Sequence, residues 1–229
     1  TAYIGMGNIY QDNDELELAS AQFARAVRFN PASIAARNNY ASTLVKLQEY
    51  EEALLETEKI LKAKPDHNAS HRRVAKILVH FSRFEEAAQY LEQALIYFPN
   101  DDFLLHEAGK VNDRCKRPNL AIQYLERAYL LNQTDHNIIL NFSKALHDGG
   151  RIDEAIDVLS PAADRSIGNH ILWSNLLMLH QCVICSRFDR SAVCSVREAV
   201  GGQIISAADV VSRQSVGYAL VPVAVVGIG

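Results

Sequence analysis

Cysteine is scarce in this chain of 229 residues: Cys115, Cys182, Cys185 and Cys194 are all it has. Four thiols in a chain of this length make no secreted disulfide framework, and no charged-then-apolar signal segment opens the sequence. A reducing, cytoplasmic setting is therefore expected. An excess of basic charge is also missing. The formal net charge is −4 and the sequence pI near 6.1, whereas a general nucleic-acid binder needs a basic surface to neutralise phosphates. Long hydrophobic runs are lacking too. The most apolar stretch, Val216 to Gly229, is interrupted by Pro222 and falls short of the roughly 20 residues a membrane helix requires. It reads as the start of a buried element, and no membrane partner is expected. Catalytic signatures are absent as well: there is no Walker loop, dinucleotide glycine fingerprint, serine-hydrolase elbow or paired-carboxylate site. No catalytic residue is assigned.

What the chain does have is apolar material and a period. A hydrophobic fraction of 48% with 22% charged residues is globular, since a disordered chain carries too little apolar surface to offset its ordering entropy. Alanine recurs at Ala19, Ala53, Ala87, Ala121 and Ala155, each 34 residues after the last. Seven residues further on stand Ala26, Ile60, Ala94, Ala128 and Ala162. A proline column reads Pro31, Pro65, Pro99 and then fails at Gln133. Small residues seven apart on one helix let a neighbouring helix approach closely. Leu44, Leu78 and Leu146, with Tyr50, Phe84, Leu91, Leu125 and Leu159, supply apolar contact at helical spacing. Each helix pair then buries its face only against the next. Proline suits the boundary between pairs, and Gly149-Gly150 suits a helix end. Pro161 falls late in a helical stretch, so that helix is expected to end or kink near Leu159.

These columns, with small residues at Gly7, Ala41, Ala75, Gly109 and Ser143 and the segments Glu49-Tyr-Glu-Glu-Ala-Leu and Arg83-Phe-Glu-Glu-Ala-Ala, resemble the tetratricopeptide repeat family. The resemblance implies an all-α fold, a right-handed α-solenoid of helix pairs with a short irregular C-terminal segment. It implies five repeats over 1–169, a partial sixth repeat or capping helix over 170–181, and a remainder over 182–229. It also implies a protein-binding scaffold whose first helices line a concave groove for proteins or extended peptides. Transferred by phase, that groove includes Asn8, Asn39, Lys46, Arg72, Arg73, Lys76, His80, Lys110, Asn141 and Lys144. Its middle is basic although the whole chain is acidic, which suits an acidic peptide; a solvated charged face is the alternative.

Two narrower likenesses bear on the same face. Chaperone-binding members hold a terminal carboxylate with a five-residue clamp. Asn8, Asn39 and Arg73 occupy three of its places, but Ile4 and Ala69 stand where the family has lysines. The superhelix of protein O-GlcNAc transferases carries an asparagine ladder that binds peptide backbone. Asn39, Asn141 and Asn175 fit that ladder, while Gly5, Arg73 and Glu107 interrupt it.

Trp173-Ser-Asn-Leu-Leu-Met-Leu-His180 resembles the junction between repeats and catalytic region in O-GlcNAc-transferase-like glycosyltransferases. Ser206, Asp209 and Ser215-Val-Gly-Tyr-Ala-Leu220 resemble the start of their catalytic domain. By that likeness residues 182–229 are a linker and the truncated start of such a domain, and the chain is the substrate-recruiting front of an enzyme that uses UDP-GlcNAc as donor. The family's histidine would fall at Gln214, so this polypeptide is expected to be inactive and to need no cofactor of its own. Cys182-Val-Ile-Cys185, with His180 and Cys194 nearby, offers zinc-type ligands. Two cysteines three apart also simply share a helix face, and no metal is assigned.

Overall fold

The computed structural model describes residues 2–187, with side chains through 183. Among these residues lie eleven helices and no strand: α1 (Ala2–Asp12), α2 (Leu16–Phe29), α3 (Ile34–Lys46), α4 (Tyr50–Ala63), α5 (Asn68–His80), α6 (Phe84–Tyr97), α7 (Asp102–Arg114), α8 (Pro118–Leu131), α9 (His136–Asp148), α10 (Ile152–Arg165) and α11 (His170–Arg187). The architecture is the expected α-solenoid of helix pairs. The chain divides into two units, Thr1–Ala145 and Leu146–Gly229.

In the first unit, odd-numbered helices are the first members of pairs and even-numbered helices the second. Packing follows the chain: α1 lies on α2, α2 on α3, α3 on α4, and so on to α7 on α8. The alanine column explains the closeness, because Ala19, Ala53, Ala87 and Ala121 are at most 1% exposed. Where first and second helices of a pair cross, even a methyl group is too large. A Cβ on Gly7 would lie 2.5 Å from the Phe23 ring, and one on Gly109 would lie 2.4 Å from Leu125 Cγ. Glycine inside a helix costs about 1 kcal/mol relative to alanine, and here the close approach offsets that cost. Gly109→Ala is therefore expected to lower stability by about 1–3 kcal/mol through overpacking. Urea unfolding monitored by circular dichroism checks this, and an unchanged or higher midpoint contradicts it.

Helix starts are fixed by a capping column. Ser33 Oγ accepts from the Ala36 N–H at 3.2 Å, Asp101 Oδ1 from the Leu104 N–H at 2.9 Å, and Asp135 Oδ1 from the Asn137 N–H at 2.7 Å. Each satisfies an amide that the first turn leaves without a helical partner. His67 stands in the same phase and makes no such bond. The loops of the proline column are tied down through their carbonyls. Arg37 Nη2 donates to Pro31 O at 2.7 Å, His71 Nε2 to Pro65 O at 2.7 Å, and Arg127 Nη2 to Pro99 O at 2.8 Å. His71 then accepts the Tyr90 hydroxyl at its Nδ1, 2.9 Å away, so its tautomer is set by two neighbours. Arg37 instead pairs with Glu56, both largely buried.

In the second unit α10 packs on α11, and Ala155, Leu159, Ala162 and Ala163 are at most 1% exposed. That stripe decides against one of the two outcomes expected at Pro161, an end of the helix. The helix does not end near Leu159 but continues to Arg165 with Pro161 inside it. Pro161 and Asp157 lie on the exposed side, where water can satisfy the carbonyl that proline leaves without a donor. The buried alanines beyond it hold the last turn in place. Helix α11 starts on Asn169, whose Oδ1 accepts from the Ile171 N–H at 3.1 Å. It runs past residue 181 to Arg187. The resemblance to a catalytic domain at Ser206, Asp209 and Ser215–Leu220 lies outside the described residues.

Candidate functional site

The first helices of successive pairs lie side by side, α1 against α3 and α5 against α7. They form one face on which the groove residues of the first unit collect. At its N-terminal end the face is amide-rich. Asn39 Nδ2 donates to Asn8 Oδ1 at 3.2 Å, and Thr43 Oγ1 donates to Gln11 Oε1 at 3.2 Å. Asn8 keeps its amide N–H groups and Asn39 its carbonyl oxygen for another partner.

Towards α5 and α7 the face carries cations, and packing sorts them into two kinds. Arg73 is only 9% exposed. Its Nη2 donates to Asn38 Oδ1 at 2.9 Å and its Nη1 to Thr57 Oγ1 at 3.4 Å. Burial pushes its pKa down to about 10, still well above neutrality, so it is a charged strut between α3 and α5 rather than a group presented to a ligand. Arg72 Nε and Nη2 both donate to Asp101 Oδ2, at 2.9 and 2.8 Å. Lys110 pairs with Glu107 at 2.8 Å and Lys144 with Asp113 at 3.0 Å.

Two lysines differ from these. Lys46 and Lys76 are exposed, and no carboxylate among the described residues forms an ion pair with either. Lys76 Nζ lies 5.0 Å from the centroid of the Phe103 ring, which Arg72 flanks at 5.2 Å. The aromatic face holds the lysine stem without neutralising its charge. His80, also exposed, stacks on Tyr50 with ring centroids 3.9 Å apart. The basic middle of the face thus reduces to Lys46 and Lys76, with Phe103 and the Tyr50–His80 pair as aromatic surface beside them.

The asparagine ladder does not assemble as free amides. Asn141 Nδ2 donates to His106 Nε2 at 2.8 Å, and in the second unit Asn175 Nδ2 donates to Ile171 O of its own helix at 2.8 Å. His106 is buried. Burial holds its pKa below the usual histidine value, and Lys110 adds to the effect against the opposing pull of Glu107. Its folded pKa lies below the unfolded one, so the unfolded chain takes up a proton first as pH falls. The contribution of His106 to stability is then complete above about pH 6.5 and lost as pH drops through the folded value. His106→Gln is expected to shrink the loss of melting temperature between about pH 8 and about pH 5. An identical slope for the variant and the parent contradicts this.

Among the described residues no group of three or more His, Cys, Asp or Glu side chains is placed to hold a metal ion. No helix among them is long and apolar enough to cross a membrane.

Residues 4–66 and 41–102 each match the family model described as a tetratricopeptide repeat. Among solved structures, PilF of Pseudomonas aeruginosa is 20% identical, with 93% of this chain and 96% of PilF covered and a TM-score of 0.68. A tetratricopeptide repeat protein of Parabacteroides merdae is 16% identical, with 90% of this chain and 80% of the other covered and a TM-score of 0.68. YrrB, a TPR protein with an unusual peptide-binding site, is 24% identical, with 69% and 82% covered and a TM-score of 0.60. At these identities the likeness establishes the fold. No curated protein matches the sequence significantly.

Proposed function

We propose that this chain, which matches the tetratricopeptide repeat family model over residues 4–102, binds an extended, acidic peptide segment of a protein partner on the first-helix face of its first unit. The observation that carries the proposal is the pair Lys46 and Lys76, exposed on adjacent first helices while Arg72, Lys110 and Lys144 are already matched to carboxylates. A charge left unmatched on a surface that neutralises its neighbours is available to a ligand carboxylate. The amides of Asn8 and Asn39 offer a donor and an acceptor to a peptide backbone alongside. Phe103 and Tyr50 offer apolar surface to its side chains. YrrB, a relative in fold, has a peptide-binding site, which supports the assignment of the class.

The test is a titration of fluorescein-labelled extended peptides, one rich in glutamate and one with glutamine at the same positions. The glutamate peptide is expected to bind more tightly, and the preference to shrink as salt rises. Lys46→Glu combined with Lys76→Glu is expected to weaken the glutamate peptide at least roughly tenfold, a loss of about 1.4 kcal/mol, with no change in melting temperature. Equal binding of both peptides, or an unaltered affinity in the double variant, rejects the proposal.

A further inference from the structure

Cys182 was read from the sequence as half of a cysteine pair on one helix face; its neighbour in space is a histidine from a different helix. In the second unit, Cys182 on α11 places its Sγ 3.7 Å from Nε2 of His147, near the end of α9. The other ring nitrogen of His147, Nδ1, lies 3.1 Å from Oδ1 of Asp148. A carboxylate oxygen can only accept, so the imidazole proton sits on Nδ1. The Nε2 lone pair is then turned toward the thiol. A nucleophile, a base and a group that orients the base therefore stand in sequence. Cys182 and His147 are both partly exposed.

We propose that Cys182 is a site of thiol–disulfide exchange in which His147 acts as the base, the co-reactant being a low-molecular-weight disulfide. As Sγ bonds to one sulfur of that disulfide, the disulfide bond breaks and the other sulfur leaves as a thiolate. The Cys182 proton passes to His147 Nε2 and from there to the departing thiolate. The products are a mixed disulfide on Cys182 and one free thiol, with no net oxidation. Asp148 holds the ring in the required tautomer and stabilises the imidazolium that forms in between. Cys115 is likewise partly buried, and burial and the adjacent Glu85 push its thiol pKa up.

The experiment uses the full chain with Cys115→Ser, Cys185→Ser and Cys194→Ser, leaving Cys182 as the sole thiol. The release of thiopyridone from dipyridyl disulfide is followed near neutral pH. The folded chain is expected to react faster than the same chain in denaturing urea, and faster than a chain in which Cys115 is the sole thiol. His147→Ala is expected to slow the reaction roughly tenfold or more, and Asp148→Asn by a smaller factor. A folded Cys182 that reacts no faster than in urea overturns the proposal, as does a rate that His147→Ala leaves unchanged. Should His147→Ala fail to fold, the comparison of the folded and urea-unfolded parent decides alone.

Discussion

Asp101→Ala lowers the free energy of unfolding by about 2–4 kcal/mol. One carboxylate does three jobs there. It caps α7 through the Leu104 N–H at 2.9 Å, accepts the Asn68 amide at 2.6 Å, and takes two bonds from Arg72. Its side chain is 4% exposed. Loss of a cap costs about 1 kcal/mol, and each buried charge-assisted hydrogen bond contributes about 1.5–3 kcal/mol. The upper end of their sum is not reached, because the Arg72 side chain is 40% exposed and rehydrates. Burial by itself would raise the Asp101 carboxyl, but the bonds from Asn68, the Leu104 amide and Arg72 together hold it below the usual carboxylate range. With the folded pKa depressed, its contribution is present above about pH 4 and is lost as pH falls through the folded value. Asp101→Asn should therefore flatten the acid limb of a stability–pH curve. Urea midpoints across that range are the check. A midpoint within error of the parent at neutral pH shows that the inter-repeat lock carries no stability.

Asn112→Leu acts in the opposite direction and stabilises the fold by about 1–3 kcal/mol. Residue 112 stands 34 residues after Leu78 and 34 before Leu146, in a column whose other members include Leu44. It is 0% exposed. Its Nδ2 donates to Ala108 O at 2.8 Å, while its Oδ1 has no hydrogen-bond partner. A buried acceptor without a partner carries its full desolvation cost, and a leucine, branched in the same way but without polar atoms, removes it. Thermal unfolding of the variant is expected to show a higher midpoint. A lower one means that Oδ1 is satisfied by a water or that leucine overpacks the site.

The repeat was legible because close packing forces small residues to recur at fixed phase. Ala19, Ala53, Ala87, Ala121 and Ala155 all appear in the core as read. The capping column Ser33, Asp101, Asp135, Asn169 was equally visible in the sequence, since it shares the same 34-residue phase, but it is interrupted by His67 and was not read. Charge on the candidate face was legible only as a count. Arg72 and Arg73 are neighbours in sequence with different fates, one bonded to Asp101 and the other buried against Asn38. Asp101 and Asp113 reach across from the neighbouring repeat, and a single helix pattern does not show that. At Pro161 the local penalty is real, yet the residue falls on the exposed side of a helix whose other side is buried, so the helix does not end near Leu159. The glycosyltransferase resemblance rests on sequence alone: Ser174-Asn-Leu-Leu177 lies within α11, and the residues likened to a catalytic domain lie beyond 187.

The central claim is that recognition belongs to the first-helix face around Lys46 and Lys76. Its most direct test is an amide chemical-shift titration of the isotopically labelled full chain with the glutamate-rich peptide. Shifts concentrated on α3, α5 and the start of α7, including Asn39, Lys46, Lys76 and Phe103, are the predicted result. Shifts confined to the second helices α4, α6 and α8, with the first-helix resonances unmoved, would contradict it.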